Sequence, residues 1–127
     1  MSSDRHDKAP KSLGVELRFF EGLLRRRPND KLILKAIGDL YTQAGRHQSG
    51  LEVDLQLCRI CPEDSEVWYN LGCSYALVGR KDESFDALFR AVDLGYRDGR
   101  WMMNDTDLSS LHEDPRFEFL VDKASSQ

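Results

Sequence analysis

The sequence predicts an all-α protein, a solenoid of repeated helix-turn-helix units. Three observations lead there. Residues recur at an offset of 34: Pro28 with Pro62, Gly38 with Gly72, Tyr41 with Tyr75, Gly45 with Gly79 and Arg46 with Arg80. A fixed period of this length marks a repeat array. Within each copy the apolar residues fall at i, i+3, i+7 and i+10: Leu34, Ile37, Tyr41 and Ala44, then Trp68, Leu71, Tyr75 and Val78. That spacing draws one stripe along a helix. Gly45 and Gly79 then stand just past the stripes, where a left-handed residue closes a helix.

The elements follow in order. Leu13, Leu17, Phe20 and Leu24 form a first helical stripe, ending at Arg25-Arg26-Arg27-Pro28. Counting back from Pro28, this is the second half of a unit whose first helix is missing. Cations at a helix C-terminus oppose the macrodipole favourably, which accounts for the arginines more simply than a nucleic-acid role does. Asp30 and Asp64 precede the two central stripes and suit N-caps or first-turn acids. Gly38 and Gly72 lie inside helices at a cost of about 1 kcal/mol relative to Ala, tolerable where a neighbouring helix must come close. Beyond Leu94-Gly95 the pattern degrades. A third Leu-Gly pair would fall at positions 105 and 106, which are Asp105 and Thr106. Leu108, Leu111, Phe117, Leu120 and Val121 instead define one or two short terminal helices. Asp107 is the expected cap of the first, and Asp114-Pro115 suits N-cap and N1 of the second.

The residue order resembles the tetratricopeptide repeat family, as short bacterial proteins carry it. The better copy reads Trp68, Leu71-Gly72, Tyr75, Ser84, Leu88, Ala91; the weaker reads Leu34, Ile37-Gly38, Tyr41, Gly50, Asp54, Leu57, Pro62. Asp54 departs from a large apolar residue, and Tyr96 stands where a terminal Pro is expected. The resemblance implies about two full units, an N-terminal half-repeat and short C-terminal capping helices. The expected boundaries are a flexible segment 1–12, a helical domain 13–124 and a flexible tail 125–127.

Composition narrows the function classes. The 127 residues are 40% hydrophobic and 31% charged, as in an ordinary folded domain. Lys plus Arg number 18 against 22 Asp plus Glu, a formal charge of −4, which disfavours a dedicated nucleic-acid binder. No stretch approaches the ~20 apolar residues of a membrane span, and no secretory signal is evident. Three cysteines are too few for a disulfide framework, so a reduced, cytoplasmic setting is expected.

Catalytic constellations are lacking. There is no GxGxxG, P-loop, GxSxG or HExxH pattern, and no enzyme, cofactor or metal is expected. Cys58-Arg59-Ile60-Cys61 is a CxxC, but it falls at a helix C-terminus, where the dipole opposes thiolate formation. A thiol or metal role for Cys58 and Cys61 is the weakest of three readings. His47 is expected in a solvated turn, and His112 as a cap or surface partner. Asp105-Thr106-Asp107 is read as local capping rather than a cation site.

What remains is a surface. The resemblance implies a groove lined by the first helix of each unit, at about the second, fifth, ninth and twelfth positions. Those are Leu32, Lys35, Asp39 and Thr42, then Glu66, Tyr69, Cys73 and Ala76. Lys35 and Asn70 match two residues of family members that clamp a peptide carboxylate. Asp39 replaces an Asn of that clamp and would repel a carboxylate. Arg100 is a further basic candidate. The groove set is thus Lys35, Asp39, Glu66, Tyr69, Asn70, Cys73 and Arg100, with Tyr69 giving apolar contact and the charged and polar residues setting register. The leading expectation is an adaptor or co-chaperone-like scaffold that binds another protein or peptide segment, without nucleic acid or membrane. A structural, self-associating subunit, such as a homodimer, is the alternative.

Overall fold

A computed structural model describes residues 10–126. It is all-α and falls into two compact units, divided between Ile60 and Cys61. The first holds α1 (Pro10–Arg26), α2 (Lys31–Gln43) and α3 (His47–Ile60). The second holds α4 (Ser65–Leu77), α5 (Lys81–Asp93), α6 (Gly99–Asn104), a 3-10 helix (Thr106–Leu111) and α7 (Pro115–Ser125). Of the ends expected to be flexible, residues 1–9 and Gln127 lie outside the described residues, while Pro10–Ser12 open α1 and Ser125 closes α7.

The expected punctuation sets the helix boundaries. Asp30 accepts from the amides of Leu32 and Ile33 at 3.0 and 3.2 Å, and Asp64 from those of Glu66 and Val67 at 3.0 and 3.4 Å. Each such cap stabilises its helix by about 1 kcal/mol. At the far ends Gly45 and Gly79 take φ of 74° and 84°. That turn brings the Arg46 amide to the Tyr41 carbonyl at 2.8 Å and the Arg80 amide to the Tyr75 carbonyl at 2.9 Å, which is the Schellman closure. The two arginines then lay their guanidinium groups over the same tyrosines, at 5.0 and 4.9 Å from the ring centres. The paired recurrence of Gly-Arg and Tyr is one physical unit: turn, carbonyl and cation–π contact.

In the first unit α2 packs between α1 and α3, burying Leu13, Leu17, Leu34, Ile37, Leu51 and Leu57. Tyr41 of α2 donates to Glu21 of α1 at 2.9 Å. Burial, joined by that bond, raises the Tyr41 hydroxyl above the usual phenol range.

In the second unit α4 packs against α5 and the 3-10 helix, and α7 against α5 and α6. Gly72 permits the close approach of α4 and α5. Its carbonyl accepts from the buried Ser84 hydroxyl at 2.7 Å, and Leu88 lies directly over its Cα. Phe85, Leu88, Met102, Leu108, Leu111 and Leu120 fill the core between the helices.

The end of the chain corrects two expectations. Residues Gly99–Asn104 form a helix that the apolar pattern did not announce, because only Gly99 and Met102 within it are buried. The cap of the 3-10 helix is Asp105, not Asp107: the Asp105 carboxylate accepts from the Asp107 amide at 3.0 Å. Asp114 and Pro115 open α7 as expected. The helix starts also continue the period. Lys31, Ser65 and Gly99 are successively 34 residues apart, as are His47, Lys81 and Pro115. The irregular end keeps the repeat register while losing the repeat residues.

Candidate functional site

Helix α4 is buried on more than one side. Trp68 points toward the chain preceding the helix, its indole donating to the Pro62 carbonyl at 2.9 Å with Arg90 over the ring at 5.6 Å. Tyr69 and Cys73, on another side, are only 5% and 7% exposed. They are covered because the third first-helix breaks. Position 105, which is Leu71 one period earlier, carries Asp with an extended backbone (φ −79°, ψ 111°). The Asp105 carboxylate accepts from the Tyr69 hydroxyl at 2.6 Å and from the Cys73 thiol at 3.8 Å. One residue therefore ends α6, caps the 3-10 helix and satisfies a buried phenol.

Tyr96 completes the arrangement. It follows Gly95, whose φ of 115° turns the chain, and its ring stacks on Tyr69 with centres 4.4 Å apart and planes 3° apart. Burial pushes the Tyr69 hydroxyl well above the usual phenol range, with Cys73 and the Asp105 carboxylate adding to the rise. Burial likewise pushes Tyr96 up to about 12, although the Tyr69 hydroxyl bond pulls the other way. Both rings are neutral, fixed surfaces at physiological pH.

Beside this stack opens a cavity of about 340 Å³ lined by Glu66, Tyr69, Asn70, Tyr96, Asp98 and Trp101. Glu66 and Asn70 are exposed on α4. Asp98 is the N-cap of α6, one carboxylate oxygen accepting from the Trp101 amide at 3.0 Å. Trp101, on the same helix, is 58% exposed. Among the described residues, no Lys or Arg lines the cavity. The nearby Arg97 is spent on backbone, donating to the carbonyls of Val92 and Tyr96 at 3.0 and 3.2 Å.

The groove residues expected from the sequence divide between the two units. Lys35, half-buried, and Asp39, exposed, lie on α2 in the first. Glu66, Tyr69, Asn70 and Cys73 lie on α4 and Arg100 on α6, in the second. Glu66, Tyr69 and Asn70 share the cavity; Cys73 lies beneath it on Asp105, and Arg100 is exposed outside its lining. The open aromatic surface of the cavity comes from Tyr96 and Trp101, which sequence reasoning did not assign to the site. The signal for Tyr96 was its place at the missing Pro. Asp98 repeats the cap position of Asp30 and Asp64 at the 34-residue offset, a signal the sequence carries, whereas Trp101 falls where earlier units have Ile33 and Val67.

The other polar candidates are placed as follows. Cys58 is buried in the last turn of α3 and Cys61 is half-buried just beyond it. His47 opens α3 and is half-buried rather than solvated, its Nδ1 shielded with no hydrogen-bond partner among the described residues. His112 lies against the Phe117 ring at 4.8 Å. Ligand atoms of Cys73, Asp105 and Asp107 come within 4.8 Å of one another. Capping and the Tyr69 bond already account for the Asp105 oxygens.

Solved structures of MamA match most of the chain. "Crystal structure of MamA protein" is 21% identical, covering 97% of this chain and 69% of that one with a TM-score of 0.73. "MamA MSR-1 C2" is 16% identical over 91% and 67%, with a TM-score of 0.72. "MamA 41-end from Desulfovibrio magneticus RS-1" is 20% identical over 91% and 68%, with a TM-score of 0.65. The fold is that of a tetratricopeptide-type repeat protein. This chain spans about two thirds of the length of those solved chains. No protein-family model and no curated protein matches the sequence. Among the described residues, no helix is long and apolar enough to cross a membrane.

Proposed function

We propose that this chain is a non-catalytic interaction module, an adaptor or co-chaperone-like scaffold of the cytoplasm, which captures a segment of another protein. One observation carries the reading. Three residues at ligand-facing repeat positions, Glu66, Tyr69 and Asn70, line one open cavity with an exposed Trp101 beside them. A concave site with a few convergent polar groups on rigid helices is the form of a recognition site. Arg100 on α6 is a further contact residue in the second unit, and Lys35 and Asp39 on α2 are candidate contact residues of the first unit by itself. Cys73 acts beneath the cavity, through Asp105.

Peptide display against the immobilised full chain tests this. Peptides enriched on the wild type should bind Asn70→Arg and Trp101→Ala at least about tenfold more weakly, since each removes or fills a cavity wall. Peptides that bind both variants as well as the wild type would remove the site. Self-association is the competing outcome, and light scattering on dilution distinguishes it: a dimer blocked by Asn70→Arg would make the cavity a self-contact.

A further inference from the structure

We propose that the Glu66–Tyr96–Asp98–Trp101 cavity receives the side chain of an arginine in a basic segment of the partner protein. This rests on the peptide-binding reading and specifies its ligand. Two carboxylates reach the cavity from different elements, Glu66 from the first turn of α4 and Asp98 from the cap of α6. Neither takes part in an ion pair among the described residues. Asp98 spends Oδ1 on the Trp101 amide, which leaves Oδ2 for an incoming donor.

The walls are as informative as the charges. Tyr96 is held flat on Tyr69, and Trp101 stands 58% exposed beside it. A guanidinium is planar, weakly hydrated and attracted to aromatic faces, and its N–H fork matches carboxylates. An anion would meet two carboxylates and no lining cation. The partial positive charges at the starts of α4 and α6 oppose a cation, but each is worth about half a charge against a full charge on each acid. A neutral apolar side chain would fill the space while desolvating both carboxylates without repayment.

The fold also prepares the site. The Tyr69 hydroxyl is anchored on Asp105, so the stacked pair does not have to be ordered when the ligand arrives. Preorganised aromatic walls lower the cost of binding.

The test uses nitrogen-15-labelled full chain and N-acetylarginine amide as the probe. The two tryptophan indole signals separate the site from its surroundings, because Trp68 is engaged with Pro62 and Trp101 is not. The Trp101 signal should shift saturably and the Trp68 signal should not. N-acetylglutamine amide should produce no saturable shift. A Glu66→Gln/Asp98→Asn double variant retains a side-chain cap on α6 and should weaken the arginine response at least about tenfold. Added salt should weaken it as well. Absence of a saturable Trp101 shift, an equal response to the neutral amide, or an undiminished response in a folded double variant would each overturn the assignment. Displayed peptides that need Asn70 and Trp101 but carry no arginine would overturn it too, while leaving the peptide-binding reading intact.

Discussion

Gly72 and Gly38 occupy the same repeat position, and substitution by Ala should move stability in opposite directions. A Cβ on Gly72 would lie 2.5 Å from both Cγ and Cδ2 of Leu88 and 3.3 Å from the Ser84 carbonyl oxygen. Leu88 is fully buried, so it cannot swing into solvent. Overpacking of this kind costs about 1–3 kcal/mol. Forcing the helices apart also stretches the 2.7 Å bond from Ser84 to the Gly72 carbonyl, at about 0.5–1.5 kcal/mol. Against these stands a helix-propensity gain of about 1 kcal/mol. The net expectation is a loss of about 1–3 kcal/mol.

At Gly38 the same Cβ would meet Val53 Cγ1 at 3.4 Å and Asp54 Oδ1 at 3.7 Å, ordinary contact distances. Only the propensity gain remains, so Gly38→Ala should stabilise by up to about 1 kcal/mol. Urea unfolding of each full chain, followed by far-UV circular dichroism, reads both changes. A Gly72→Ala chain as stable as wild type, or a Gly38→Ala chain that loses more than Gly72→Ala, would refute the claim that of these two positions only Gly72 is closely approached.

Two further expectations follow from the second unit. Tyr69→Phe keeps the stack on Tyr96 but removes the 2.6 Å bond to Asp105, and should cost about 1.5–3 kcal/mol in the same unfolding assay, as expected for a hydrogen bond to a charged group. Arg116 holds the Asp114 carboxyl down at about 2 through its side-chain and backbone bonds, and a depressed carboxyl stabilises the fold above its ordinary pKa. Its contribution should therefore be complete above pH ~4 and vanish as pH falls through about 2, so the Tm difference between wild type and Asp114→Asn should close over that window.

The regular part of the fold was legible because it is written in local signals. Asp30, Asp64, Gly45 and Gly79 act within one turn of chain, and each does in the structure what its residue type announces. The glycine reading was legible only in part: identical residues at positions 38 and 72 face Val53 and Leu88, and nothing at either position tells how near its neighbour comes. Helix α6 was invisible because six residues with one buried apolar side chain make no stripe. Asp107 was read as a cap by its neighbourhood; Asp105 took that role because its carboxylate is also the acceptor for a tyrosine 36 positions away, a contact no window on the sequence contains.

Residues that break the repeat, Tyr96, Trp101 and Asp105, build much of the site. A Pro at position 96 would have offered Tyr69 no aromatic ring to stack on. A Leu at position 105 would have continued α6 toward the register of α4 and left the Tyr69 hydroxyl buried with no carboxylate to receive it. Both departures weaken the pattern, yet the fold keeps its 34-residue register around them, since Gly99 and Pro115 still open helices where the period requires. Stability in a repeat protein comes from the stripes and turns that recur. Specificity has to come from positions that do not recur, because identical units present identical surfaces. Tyr96 and Asp105 therefore set the walls of the cavity, and Trp101, whose counterparts are Val67 and Ile33, supplies its open aromatic face, while Asp98, at the cap position it shares with Asp30 and Asp64, joins Glu66 in supplying its charge. If that division holds, restoring the repeat residues at 96 and 105 together should leave the helix content of the chain in place and abolish the arginine response of Trp101.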